Sequence, residues 1–160
     1  MIWEELQRVE LAPGIGVPRL ADVLALTPPE KTVYVEIKGA NIEELVVATI
    51  DGGSARCAVH SFDHAAIARC RAIAPHIPRG VLFDGSAPDA MIRQLESVDA
   101  SDLWPRWDLI DAALVRRAHD AGARVIAWTV NSPADARALV AMGVDGLCTD
   151  DVRLLDALER

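Results

Sequence analysis

The sequence predicts an α/β fold: a parallel (βα) barrel that is incomplete, with about six of the eight βα units a closed ring requires. Three observations predict it. Short β-branched runs recur with starts about 21 to 24 residues apart, the length of a compact βα unit. Single helices with readable ends fall between the runs, and strands alternating with single helices make a parallel sheet. No glycine-rich phosphate loop is present, which, with the even period, favours a barrel over an open doubly wound sheet.

Taken in order, residues 3–9 read as helix, residues 12–18 as a Gly/Pro loop and residues 20–26 as helix. Six strands follow. They are Val33-Tyr34-Val35-Glu36-Ile37, Cys57-Ala58-Val59-His60-Ser61, Gly80-Val81-Leu82-Phe83, Ser101-Asp102-Leu103-Trp104, Arg124-Val125-Ile126-Ala127-Trp128-Thr129-Val130 and Asp145-Gly146-Leu147-Cys148-Thr149. Asn41 can N-cap the first intervening helix, with Glu44 completing a capping box. Asp63 caps the helix carrying Ile67, Cys70 and Arg71, and Pro75 follows its end. Ser86 precedes the start at Ala87-Pro88-Asp89, and Ser132 with Pro133 starts another helix. Gly122 and Gly143 sit where left-handed C-terminal caps belong. A last helix spans residues 151–158. Residues 1–32 supply no further barrel strand, so the ring is two short. Open edges are expected near residues 33–37 and 145–149, and the chain must close differently, pair with another chain or be marginally soluble.

Length fits one domain over residues 1–160. Apolar residues make up 51% and aromatics only 4%, the balance of a layered α/β protein. The net charge of −8 argues against a nucleic-acid partner. Cys57, Cys70 and Cys148 lie far apart, which reads as reduced thiols in a cytoplasmic protein. The start Met1-Ile2-Trp3-Glu4-Glu5 shows no signal peptide, and no stretch reaches membrane-spanning length.

Barrel chemistry sits at the C-terminal ends of strands, and the period of two says which side chains face inward. Val35 and Ile37 are the set that meets the helices, so Tyr34, Glu36 and Lys38 point into the lumen, the last two nearest the mouth. A hard divalent cation at Glu36 and a phosphate oxygen at Lys38 would satisfy both charges; an intrastrand ion pair would do so equally. The same parity turns His60, Phe62, Ile126, Trp128, Cys148 and Asp150 inward and Val59 outward. His60 is a candidate base, although a lone strand histidine is more often a core residue. His64, His76 and His119 fall on helices or in a loop without metal-ligand spacing. Ser61 lacks a nucleophile-elbow context. Trp104 and Trp107 flank Pro105 in an expected loop, where they either wall a pocket or cover the core.

Four segments together resemble the glycerophosphodiester phosphodiesterase family. They are Val33-Tyr34-Val35-Glu36-Ile37-Lys38, His60-Ser61-Phe62-Asp63, Ala127-Trp128-Thr129-Val130-Asn131 and Gly143-Val144-Asp145-Gly146-Leu147-Cys148-Thr149-Asp150, in the family's order and spacing. Val17-Pro18-Arg19-Leu20-Ala21-Asp22-Val23-Leu24 resembles an upstream helix of the same family. The resemblance implies a TIM-type barrel that hydrolyses glycerophosphodiesters to sn-glycerol 3-phosphate and an alcohol with Ca²⁺ or Mg²⁺. By that analogy Glu36 is a metal ligand and Lys38 is the catalytic residue that steadies the phosphate. Trp128 lines the glycerol pocket, with Phe62 a weaker candidate. The family pattern also opens with His-Arg-Gly, Glu-x-Asp and His-Asp segments, and this sequence has no histidine before His60 and no Glu-x-Asp before Glu36. An N-terminally shortened member is therefore expected, with weakened cation binding and little or no activity of its own. The alternative is a non-catalytic module that binds a phosphodiester or a partner, its barrel completed by homo-oligomerisation through the open edges.

Overall fold

The computed structural model describes residues 3–158; the leader reading at Met1 and Ile2 falls outside them. Helix α1 (Trp3–Leu6) leads into β1 (Glu10–Ala12) and β2 (Ile15–Gly16), a small antiparallel hairpin. This corrects the expected helix over residues 3–9 and the plain loop after it: Gly14, at φ 74°, makes the reversal that lets the flanking residues pair. Then come α2 (Leu20–Leu26), β3 (Thr32–Glu36), α3 (Glu43–Asp51), β4 (Arg56–Ser61), α4 (His64–Ile73), β5 (Arg79–Phe83) and α5 (Pro88–Ser97). The chain continues through β6 (Asp102–Pro105), a 3₁₀ turn (Trp107–Leu109), α6 (Ala112–Asp120), β7 (Arg124–Ala127), α7 (Pro133–Met142), β8 (Gly146–Leu147) and α8 (Leu154–Leu158).

Strands β3 to β8 form one parallel sheet in sequential order, so the predicted six-unit incomplete barrel is the observed fold. Among the described residues its outer strands, β3 and β8, each pair on one side only. Register carries the parity of β3 through the sheet: Glu36 pairs with His60, His60 with Gly80, Gly80 with Asp102 and Asp102 with Arg124. Odd-numbered Val33, Val35, Ile37, Val59, Val81, Leu103 and Val125 pack outward against Val47, Ile67, Leu95 and Leu114 of the helices. Even-numbered Leu82, Trp104 and Ile126 form a second cluster in the lumen with Tyr34 and Trp128. Trp104 lies in β6, as the expected fourth strand had it and not in the loop expected around Pro105, and is 5% exposed. Pro105, paired with Phe83, is the last residue of that strand.

The helix ends mostly follow local chemistry. Asp63 Oδ1 accepts from the backbone N–H groups of Ala65 and Ala66 at 3.0 and 3.2 Å, and Ser132 Oγ accepts from that of Asp135 at 3.3 Å. Gly143 at φ 92° ends α7, and Gly122 at φ 77° follows α6. Two caps differ. Asn41 sits in the left-handed region at φ 58°, leaving Ile42 to precede α3, and Ala87 rather than Ser86 precedes α5, where Pro88 already sets the first turn. Among the described residues no helix is long and apolar enough to cross a membrane.

Candidate active site

The mouth is built by the chain leaving β3, β4 and β7. Glu36 ends β3 and Lys38 lies two residues on, so both project from one strand edge; Lys38 Nζ is 3.1 Å from Glu36 Oε2. The carboxylate side chain is 27% exposed and the lysine 77%, so the ammonium stands in water and stays free to meet an anion. Beside them Ser61, which is buried, donates its Oγ hydrogen to the Ile37 carbonyl at 2.6 Å and accepts from the Asp63 N–H at 3.0 Å. That bridge fixes the turn out of β4 against the end of β3. It also gives the hydroxyl a structural partner on each side, consistent with the absence of a nucleophile elbow.

Phe62 follows, 44% exposed, with its ring centroid 5.3 Å from that of Trp128 in an edge-to-face arrangement. Trp128 is held by its indole N–H, which donates to the Trp104 carbonyl at 2.9 Å. Behind it, Asn131 Oδ1 accepts from the Asp150 N–H at 3.0 Å, and Asn131 Nδ2 donates to the Asp150 carboxylate at 2.8 Å. The Trp128 loop is thereby tied to the loop after β8.

His60 lies below this rim. It is 7% exposed, its ring centroid 4.5 Å from Trp104 and 6.2 Å from Tyr34. Burial, with the nearby Lys38 charge and against the opposing pull of Glu36, lowers its pKa to about 4. Such a nitrogen is neutral and a weak proton acceptor near pH 7. Among the described residues, its Nδ1 and the Trp104 Nε1 are buried without hydrogen-bond partners. Both residues line a cavity of about 840 Å³ that runs from Tyr34 and Glu36 on β3 to Cys148 and Thr149 beyond β8. Lower still, the fully buried Asp102 takes two hydrogen bonds from Arg124, at 2.8 and 2.9 Å, and Arg124 reaches across to Tyr34 Oη at 3.2 Å.

Sequence reasoning did not single out Asp102 and Arg124. The parity that turned Tyr34 inward applies to them through the sheet register, so the signal was present. The remaining histidines are occupied: His64 Nε2 by the Leu82 carbonyl, His76 by Asp51 and His119 by Asp145.

The donor set does not fit a hard divalent cation. Such an ion needs several oxygen ligands, and among the described residues no three His, Cys, Asp or Glu side chains gather to supply them. Glu36 offers one carboxylate, already paired with an ammonium.

Fold and rim together define a parallel (βα)-barrel protein with an acid–lysine pair and an aromatic wall at the C-terminal ends of its strands. The sequence matches the model of the Glycerophosphoryl diester phosphodiesterase family over residues 1–154, and the chain belongs to that family. It is 30% identical to a Mycobacterium tuberculosis protein named probable glycerophosphodiester phosphodiesterase 2, over 96% of this chain and 64% of that protein. A solved Silicibacter pomeroyi protein assigned to the glycerophosphoryl diester phosphodiesterases is 30% identical, with a TM-score of 0.83 over 91% of this chain and 57% of that one. An Oleispira antarctica phosphodiesterase, solved in complex with the product sn-glycerol-3-phosphate, is 25% identical, with a TM-score of 0.70 over 78% of this chain and 54% of that one. The chain thus spans less than two thirds of the length of these relatives.

Proposed function

We propose that this chain forms the phosphate- and glycerol-binding part of a glycerophosphodiester phosphodiesterase and that, by itself, it binds its ligand without turning it over. The observation that carries the reading is the rim pair: Lys38 stands 77% exposed beside Glu36, with the Phe62–Trp128 wall next to it. A phosphate oxygen at Lys38 is attracted by the ammonium, and the glycerol carbons lie against Trp128. Glu36 balances the ammonium when no anion is bound. Hydrolysis needs a proton donor for the leaving alcohol and an activated water. His60, buried and with its pKa near 4, is poorly suited to either task. The buried Cys57 and Cys70 carry no disulfide, in keeping with a reducing, cytoplasmic setting.

The test is a titration with sn-glycerol 3-phosphate beside a hydrolysis assay on glycerophosphocholine with Ca²⁺ or Mg²⁺. Saturable binding without turnover is the expected result. Turnover by the chain that is lost in Glu36→Gln, or no binding at millimolar ligand, overturns the proposal.

A second reading is favoured by the lumen: a further polypeptide, a second copy included, covers the cavity between β3 and β8. The unpartnered His60 Nδ1 and Trp104 Nε1 beside two one-sided edge strands support it. Light scattering after size exclusion checks it, and a monomer at every concentration rejects self-association.

A further inference from the structure

We propose that Asn131 is a positioning residue: it acts through Trp128 and sets the aromatic wall against which the glycerol carbons lie. The inference rests on the proposed function, in which Trp128 is that wall. Asn131 stands in the loop after β7, and three hydrogen bonds converge on its amide. Its Oδ1 accepts from the Asp150 N–H at 3.0 Å and from Thr149 Oγ1 at 3.1 Å, and its Nδ2 donates to Asp150 Oδ2 at 2.8 Å. A backbone N–H only donates and a carboxylate only accepts. The two contacts to Asp150 therefore require an acceptor and a donor on one short branched side chain. A primary amide supplies both, and a carboxylate lacks the donor.

That clip matters because the sheet does little to hold the loop after β8. The strand has two residues, Gly146–Leu147, and among the described residues it pairs only with β7. Cys148, next along, joins the two loops. Its N–H donates to the Ala127 carbonyl and its carbonyl accepts from the Val130 N–H, both at 2.8 Å. Trp128 and Thr129 stand out between those two bonds. On the other side the Trp128 carbonyl accepts from the Trp107 N–H, and its indole N–H donates to the Trp104 carbonyl, both at 2.9 Å. Trp128 is thus fixed from β6 directly and from β8 through Cys148, and Asn131 locks the β8 anchor. Its ring meets Phe62, which walls both the cleft holding Glu36 and Lys38 and a second cleft toward Phe83. If residues 148–150 swing free, the Trp128 backbone follows, and the wall loses its angle to the phosphate end.

The test is the Trp128 indole N–H signal in NMR spectra of the whole nitrogen-labelled chain, read beside binding of sn-glycerol 3-phosphate. Asn131→Asp keeps both acceptor bonds but sets an oxygen against the Asp150 carboxylate, where like charges repel. Both residues are exposed, so the change leaves the core alone. It is expected to move the indole signal and to weaken binding about fivefold. Adding Asp150→Asn reverses donor and acceptor across the same pair, so the double variant should bring signal and affinity back toward wild type. A loss of stability alone leaves the native indole signal in place. If Asn131→Asp does not move that signal, or the double variant does not restore it, the positioning role is wrong even where the wild-type chain binds sn-glycerol 3-phosphate. An affinity that ignores both changes overturns it as well. If the signal moves and returns while wild type binds no sn-glycerol 3-phosphate, the hold of Asn131 on Trp128 stands and the proposed function falls.

Discussion

Replacing Arg124 with Met tests the energetics of the lumen floor. Asp102 is fully buried, and Arg124 is its charge partner, bonded to both carboxylate oxygens. Removing one partner of a buried pair leaves an uncompensated charge, at a cost of about 3 to 5 kcal/mol. The low end applies, about 3 kcal/mol, because the Arg124 side chain is 52% exposed and water already screens part of the attraction. In a domain of this size that corresponds to a fall in Tm of about 6 to 12 °C. The pH dependence makes the test specific. Burial raises the Asp102 pKa while the Arg124 charge and hydrogen bonds lower it, and the balance lies above the usual carboxylate value. Without the guanidinium it rises further, so the folded variant holds its proton more tightly than the unfolded chain does. The deficit relative to wild type should therefore be largest near pH 7 and smaller near pH 4.5. Urea denaturation at both pH values measures it. A deficit under about 1 kcal/mol near pH 7, or one that does not shrink on acidification, refutes the reasoning. Adding Asp102→Asn to Arg124→Met should recover part of the loss.

Other outcomes follow from the same geometry. The depressed pKa of His60, about 4 against 6.5, means stability present above about pH 6.5 is lost as pH falls toward 4, by up to about 3 kcal/mol; His60→Gln should flatten that part of the acid limb in urea titrations. A Cβ at Gly80 would lie 2.7 Å from Cδ1 and Nε1 of Trp104, so Gly80→Ala should cost about 1 to 3 kcal/mol and change near-ultraviolet dichroism as the indole moves. Ser61→Ala leaves the Ile37 carbonyl without its hydroxyl donor and should cost about 1 to 2 kcal/mol by denaturant midpoint. Lys38→Ala should weaken sn-glycerol 3-phosphate binding about tenfold or more in calorimetry without a change in Tm, since its ammonium is mostly exposed.

Much of the barrel was legible because a parallel sheet repeats its instructions. Each strand run is apolar on its outward residues, each helix begins or ends with its own chemistry, and the period of two assigned Tyr34, Glu36 and His60 to the lumen and Val35, Val59 and Ile37 to the helix side. Those are properties of neighbouring residues, and they survive without knowledge of the rest of the chain. Family membership was legible for a related reason, since four short segments keep their order and spacing. The β1–β2 hairpin was not legible, because two- and three-residue strands carry too little pattern to stand out from a Gly/Pro loop.

The amino-acid order by itself determined the number of βα units, the inward parity and the presence of an acid–lysine pair on one strand end. Tertiary structure alone decided what those residues meet. Arg124 reaches Tyr34 across 90 positions of sequence, and the Trp104 indole crowds against Gly80, where no side chain stands in its way. Phe62 faces two clefts because β3 and β5 flank β4. Periodicity tells a side chain which face to take. Only the curvature and register of the assembled sheet set its partners, because both are sums over every strand.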